Sequence, residues 1–409
     1  MAIIFPFKAV RPQVQFAKDV ASPPYDVLSS EEARSLVQKN PRSFLHVTKS
    51  EIDMPTDLSI YDTSVYEKAK SNLASMLSEG ILLKEEKDCY YIYELVMNGR
   101  SQTGLVCCSS VDDYEHDVIK KHEFTRPEKE QDRINHISIT GAQTGNVFLA
   151  YRNHAAMDAI VANWKLTHQP AYDFKADDEI LHRIWAVNDD ATIQQITELF
   201  QKDIPCTYIA DGHHRAASAA KVRKALGKKA GPEASKFLTT LFPANELKIL
   251  PYNRVVKDLN DMTDEDFLSA LQDDFTLSHY DIPVDPASLH EFGMYLSGKW
   301  YHLTAIEGTY EEDPIGVLDV TIFSNNILEK HLNIKDQRTD KRIDFVGGIR
   351  GLAELEKRVD SGEMKLAVSL YPVSIEQLFD VADSGNVMPP KSTWFEPKLR
   401  DGLLTHLIN

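Results

Sequence analysis

No stretch of about 18 consecutive apolar residues occurs in the 409-residue chain, so a membrane-spanning helix is not expected. The opening MAIIFPFKAV is interrupted by proline and lysine before a secretory hydrophobic region can form, which points to a cytoplasmic protein. Cysteine is scarce: Cys89, Cys107, Cys108 and Cys206 form no C-x-x-C, and the adjacent pair cannot readily bridge to itself. Neither a zinc knuckle nor a disulfide framework is indicated, and reduced, mostly buried thiols are expected. Basic runs are missing too. With 45 Lys and Arg against 62 Asp and Glu, the formal charge is −17, which argues against duplex DNA as the main partner, because such binding is driven by cationic contacts and counterion release. Global charge leaves room for a local anion site built from a helix terminus and a few Arg or His side chains.

What is present is an ordinary globular composition, 43% hydrophobic and 26% charged. The expected fold class is α+β (mixed α/β). At roughly 150 residues per domain two or three domains are expected, read as 1–230 and 231–409, with Gly227 to Pro232 and Asp281 to Pro286 as candidate seams. Ser29-x-x-Glu32 spells a capping box that opens a helix ended by Pro41. Helical spacing of Val65, Ala69, Leu73, Met76 and Leu77 predicts a helix over 61–79 with Gly80 as its stop. Two β-rich runs, 89–97 and 100–111, flank Asn98-Gly99, a strong hairpin signal. The spacing then predicts a helix over 112–121, another starting at Pro127, strands at 147–151 and within 171–187, and a helix over 191–201. Thr207 to Ala210 reads as a buried strand, Asp211-Gly212 as a turn and His213 to Leu226 as a helix.

A buried strand turning through glycine into a helix aims free backbone N–H groups and the positive helix end at one point, a favourable phosphate site. Asp211-Gly212-His213-His214-Arg215 stands there. Gly212 permits close approach of an anion, Arg215 can fork onto two oxygens, His213 and His214 can donate, and Asp211 is a candidate magnesium ligand. The plainer reading is a capped helix with a solvated first turn. Cationic side chains are disfavoured at a helix N-terminus, which favours the anion site. In His122-Glu123 with Arg126, Glu128, Glu130, Asp132 and Arg133, Glu123 is the candidate base, although spacing alone favours a charged helix start with surface salt bridges. Two further segments, Asp336 to Arg350 and Met388 to Lys398, read either as solvated loops or as substrate contacts, with Arg342, Arg350, Lys391, Ser392 and Thr393 as the candidate residues beside Arg126 of the His122-Glu123 box.

Five boxes, SPPYDV, KHEFTRPEKEQDR, IADGHHRA, RIDFVGG and MPPKSTWFEPK, together resemble the family called DUF ten-fifteen. That family is similar to the ParB/sulfiredoxin-like superfamily, whose members include kinases of free serine using ADP or ATP. The resemblance implies a nucleotide-binding core with additional α/β elaborations, phosphate binding by Gly212, His213, His214 and Arg215, and Glu123 as base. His213 replaces the cysteine of sulfiredoxins, so repair of a sulfinic acid is not expected. Asn253 stands where relatives tend to have histidine, a departure that touches donor or substrate choice.

The expected function is a kinase that uses ATP or ADP with Mg2+ to phosphorylate a small hydroxyl metabolite, L-serine or a similar amino acid. The alternative is a non-catalytic, ParB-like nucleotide-binding regulator, and a third reading is a structural protein whose DGHHR box is only a helix start. The expected partners are nucleotide and small substrate, with no membrane, and a homodimer is the assembly kept open.

Overall fold

The computed structural model describes residues 1–409, which form two compact units of mixed α and β structure. The first is Met1–Leu247 together with Pro397–Asn409; the second is Lys248–Glu396. No helix is long and apolar enough to cross a membrane.

Unit one is built on a nine-stranded sheet. Its strands in chain order are β1 (Ile4–Phe5), β2 (Tyr90–Met97), β3 (Arg100–Ser110), β4 (Ile119–Lys120), β5 (Val147–Tyr151), β6 (Tyr172–Lys175), β7 (Leu181–Val187), β8 (Thr207–Asp211) and β9 (Lys236–Pro243). They lie in the order β4-β8-β5-β9-β3-β2-β7-β6, and β1 pairs with β3. The β2–β3 hairpin closes at Asn98 and Gly99, whose φ angles of 52° and 78° are what a tight two-residue turn requires. Tyr90, Ile92, Leu105, Cys107, Leu149, Ile209, Phe237 and Leu241 belong to one buried cluster on this sheet. Burying each large apolar side chain contributes about 1.5–3 kcal/mol. All four cysteines are free thiols, three of them buried.

The helices that frame the site are α1 (Ser30–Lys39), α2 (Thr63–Ser78), α3 (Pro127–Thr140) and α4 (His213–Leu226). The first begins in the anticipated capping box, in which Ser29 Oγ accepts from the Glu32 N–H and the Glu32 carboxylate accepts from the Ser29 N–H. The third has Pro127 at its first turn and ends on Gly141 in the left-handed region, φ 68°. In α4 the alanines Ala216, Ala217, Ala219 and Ala220 are buried, and the small side chains let it lie close to α3, where Ser218 Oγ donates to the Glu130 carbonyl at 3.1 Å. The C-terminal strap, Pro397–Asn409, is fixed to this unit by backbone bridges, Val10 with Thr405 and Ser22 with Asp401.

Two local expectations are corrected. The helix expected over 112–121 covers only Val111–Glu115. Asp117 turns the chain at φ 57°, and Ile119-Lys120 is drawn into parallel pairing with Thr207 and Tyr208. Asp211, read as part of the turn, is the last residue of β8, where the register against β5 shifts between Ile209 and Asp211. Such a bulge re-aims the side chain that follows it.

Unit two carries a six-stranded sheet of Tyr252–Val256, Phe275–Tyr280, Glu291–Leu296, Lys299–Ala305, Ile343–Gly347 and Leu366–Leu370. RIDFVGG is not a solvated loop: Ile343–Gly347 pairs antiparallel with Tyr252–Val256. Trp394-Phe395 pairs likewise with Ile249-Leu250, so RIDFVGG is largely a strand of this unit, whereas only these two residues of the last box are in one.

Candidate functional site

The site of unit one begins at the elbow between β8 and α4. Gly212 is the helix N-cap at φ 96° and ψ 27°, a conformation that strains any residue with a Cβ. Its position is crowded as well, since a Cβ there would stand 3.3 Å from the Cα of Val147. No side chain caps this helix start, so its first N–H groups remain unsatisfied by a cap.

Around the elbow the two sequence boxes come together. The ring of His213 packs edge-on against that of His122, centroids 4.6 Å apart, and its Nε2 accepts from the His122 N–H at 3.5 Å. Its Nδ1 faces Glu123 Oε2 at 3.7 Å. Burial, and then His122, push His213 well below the ordinary imidazole range, and burial takes His122 to about 4. Both rings are therefore neutral at pH 7. His214 Nε2 accepts from the Arg126 N–H at 2.9 Å. Glu123 and Asp211, with side chains 45% and 44% exposed, are the carboxylates of this group that solvent can reach, and of the two Asp211 is the one held by Lys398.

Asp211 is committed elsewhere. Its Oδ2 accepts from Lys398 Nζ at 2.8 Å; burial raises this carboxyl, but Lys398, Arg215 and His213 outweigh burial and hold it well below the usual range. Across the structure no group of three or more His, Cys, Asp or Glu side chains is placed to hold a metal ion. Asp211 is the acid whose ion pair ties Lys398 of the C-terminal strap to the elbow.

Beside the elbow lies a small, partly open cavity lined by Tyr25, Arg133, His136, Gln143, Thr144, Gly145 and Asp401 as well as Arg215, with Ile137, Val147, Ala219, Phe237 and Leu238 supplying apolar wall. Arg215, 14% exposed in its side chain, donates to the Asn146 carbonyl at 2.7 Å and stands 3.6 Å from Asp26 Oδ1. Burial works against its charge, yet Asp401, Asp26 and Tyr25 raise it above its ordinary value. Arg133 is 8% exposed and holds Asp132 Oδ2 through Nε and a terminal nitrogen at 3.0 and 2.7 Å. Asp132 in turn accepts from Tyr66 of α2 at 2.9 Å. Tyr25 lies between the two arginines, its ring 3.8 Å from the Arg133 guanidinium and 5.4 Å from that of Arg215; burial pushes its hydroxyl up to about 12, with Arg133 opposing. His136 is taken to about 4 by burial and Arg133, and its Nε2 lies 2.9 Å from the Val47 carbonyl, so it is a neutral donor.

Of the residues singled out in the sequence, Glu123, Arg126, Asp211, Gly212, His213, His214 and Arg215 thus meet in one region of unit one. The candidate substrate contacts Arg342, Arg350, Lys391, Ser392 and Thr393 belong to unit two. Arg342 is engaged by Asp258 and Asp340, Arg350 stands 3.9 Å from Glu354, Lys391 lies over the Tyr252 ring at 5.6 Å, and Ser392 Oγ donates to the Pro389 carbonyl at 2.6 Å. Thr393 precedes the short pairing of Trp394-Phe395. Asn253 is buried, and its Oδ1 accepts from the Leu370 N–H at 3.1 Å. Sequence reasoning did not assign Tyr25, Asp26, Arg133, the Gln143–Asn146 segment or Asp401. The signals were faint: Tyr25-Asp26 follows two prolines, Gly145 ends a short polar run between helix and strand, and Asp401 is the one acid of the tail 397–409.

A family model described as protein of unknown function (DUF1015) matches residues 4–321. No curated protein matches the sequence. Among solved structures the chain is similar to free serine kinase in complex with AMP, at 13% identity and a TM-score of 0.37, over 72% of this chain and 89% of that one. It is similar to C-terminally truncated SbnI from Staphylococcus aureus at 12% identity and a TM-score of 0.38, over 74% and 87%. A conserved hypothetical protein from Pyrococcus furiosus gives 15% identity and a TM-score of 0.35, over 71% and 93%.

Proposed function

The chain belongs to the DUF1015 family, and from that premise we propose that unit one binds a nucleoside phosphate at the Gly212 elbow and transfers a phosphoryl group to the hydroxyl of a small metabolite, L-serine or a similar amino acid. The observation that carries this reading is the state of Arg215. Its guanidinium is largely buried beside an uncapped helix N-terminus and lines a cavity, yet its only direct hydrogen bond is to one carbonyl and its closest carboxylate ion pair, with Asp26, is 3.6 Å long. A buried guanidinium with donors to spare, next to free helix N–H groups, is matched by an oxyanion such as a phosphate.

In this reading the acceptor hydroxyl attacks the terminal phosphorus, a new O–P bond forms as the bond to the departing nucleotide oxygen breaks, and Glu123 takes the hydroxyl proton. Arg215 and the elbow amides carry the charge on the phosphoryl oxygens. His213, neutral and 3.7 Å from Glu123, fixes the carboxylate's surroundings without competing for its proton. His214 plays no direct part in the transfer; it anchors the segment bearing Arg126.

The test is 31P NMR of the purified chain with Mg2+, ATP or ADP, and a panel of free hydroxyl compounds led by L-serine. A new phosphomonoester resonance that disappears in Glu123→Gln is the expected result. Nucleotide binding with no phosphorylated product, accompanied by a nucleotide-dependent change in assembly, would instead establish the regulator reading.

A further inference from the structure

Asp401 is the one acidic side chain lining the cavity, and the proposed transfer leaves it unused. It is 1% exposed, it lines the cavity, and neither of its carboxylate oxygens has a hydrogen-bond partner. Its place is fixed rather than mobile: the Asp401 N–H donates to the Ser22 carbonyl at 2.9 Å and the Ser22 N–H donates back at 3.1 Å. Arg215 lines the same cavity but gives its hydrogen bond to Asn146 rather than to Asp401. Buried polar groups in folded proteins nearly always have partners, and a buried carboxylate without a donor is costly. A donor from a ligand is the partner that this geometry leaves out.

The other charges facing the cavity select among ligands. With Arg215 assigned to the phosphoryl oxygens, the cavity wall leaves the outer face of Arg133, which holds Asp132 through Nε and one terminal nitrogen, for an anionic end and the Asp401 carboxylate for a cationic donor. A polyol or a hydroxy acid supplies no cation to Asp401. A free amino acid supplies both ends.

We infer that Asp401 receives the α-ammonium group of a free amino-acid acceptor whose carboxylate lies toward Arg133. The inference rests on the proposed reading of this cleft as the place where a small hydroxyl compound is handled, and it names the residue that tells an amino acid from an amine-free hydroxy acid. Asp401 is thereby a specificity-determining residue: it touches the acceptor but takes no proton from the reacting hydroxyl.

The experiment is calorimetric titration of the full chain with L-serine, L-threonine and L-homoserine, and with 3-hydroxypropionate, which keeps the hydroxyl and carboxylate of serine but lacks the amine, each with and without ADP. An amino acid is expected to bind about tenfold or more tighter than the amine-free compound, the order of one charge-assisted hydrogen bond. Asp401→Asn is expected to erase that preference while leaving ADP affinity unchanged. Equal binding of the two ligand classes by the parent protein, no binding of any amino acid, retention of the preference in Asp401→Asn, or a loss of ADP affinity instead would each overturn the assignment. The parent's amine preference decides the matter even if Asp401→Asn fails to fold. Because binding is read without turnover, absence of a phosphorylated product would defeat the kinase reading and leave this result standing.

Discussion

A Cβ at Gly145 would stand 2.9 Å from the guanidinium carbon of Arg215 and 3.0 Å from Asp401 Oδ1. The glycine is therefore a spacer that lets a cation and a carboxylate share one wall without meeting. The guanidinium cannot simply retreat, because it is bonded to Asn146 at 2.7 Å. Gly145→Ala is expected to leave the fold intact at a loss of about 1–3 kcal/mol, the usual cost of overpacking, and to weaken ADP binding by about tenfold through a displaced Arg215. Calorimetric titration with ADP beside urea unfolding checks both; unchanged ADP affinity would remove Arg215 from the phosphate site.

Glu123→Gln keeps the size of the side chain and removes only its capacity to take a proton. Loss of a general base costs about 100- to 10,000-fold in turnover, whereas nucleotide affinity is expected to stay within about twofold, since Glu123 faces His213 rather than the cavity wall. Single-turnover phosphoryl transfer and ADP titration on the same preparation separate the two. Full activity in the variant would end the role of Glu123 as base.

What the sequence made legible was local. Asn98-Gly99, Ser29-x-x-Glu32 and Pro127 each act through turn or cap chemistry within four residues, so their hairpin and helix starts were readable without knowing the rest of the chain. The strand, glycine and helix of 207–226 were readable for the same reason. The non-local choices were hidden. Ile119-Lys120 leaves its expected helix only because Thr207-Tyr208 is there to pair with it, and Ile343–Gly347 becomes a strand only beside Tyr252–Val256. Half of the cavity was hidden likewise. Tyr25, Arg133, Gly145 and Asp401 come from four separate segments, and nothing near Asp401 in the sequence announces that its neighbours will be arginines.

Gly212 tests the elbow itself. At φ 96° a residue with a Cβ is strained by about 1–3 kcal/mol, and here the added carbon also presses on the Val147 backbone at 3.3 Å. Gly212→Ala is expected to lower stability by that amount and to turn the first N–H groups of the helix away from a bound phosphate. Urea unfolding reports the strain, and titration with ADP and with inorganic phosphate reports the aim. Both affinities are expected to fall; a variant that is destabilised yet binds as before would make the elbow purely architectural.

Asp401 ties stability to pH in a direction opposite to most paired carboxylates. Burial pushes its carboxyl up to about 7; Arg215 and Arg133 pull down, Asp26 pushes up, and the Tyr25 amide pulls down without meeting hydrogen-bond geometry at either oxygen. An unfolded aspartate titrates near ~4. Between those two values the folded chain keeps a proton that the unfolded chain releases, so this group makes folding less favourable as pH rises through the window, and the full penalty persists above about 7. Asparagine carries no such penalty. Asp401→Asn is therefore expected to be more stable than the parent at pH 8, by up to about 4 kcal/mol, with the difference shrinking toward pH 4. Urea unfolding of both proteins at pH 4.5, 6, 7 and 8 measures it. A variant gaining stability at high pH while losing amino-acid preference would mark Asp401 as a residue kept for binding at the expense of the fold. A pH-independent difference, or destabilisation at pH 8, would mean that the carboxylate is satisfied in the folded protein and that no ligand amine is needed to complete it.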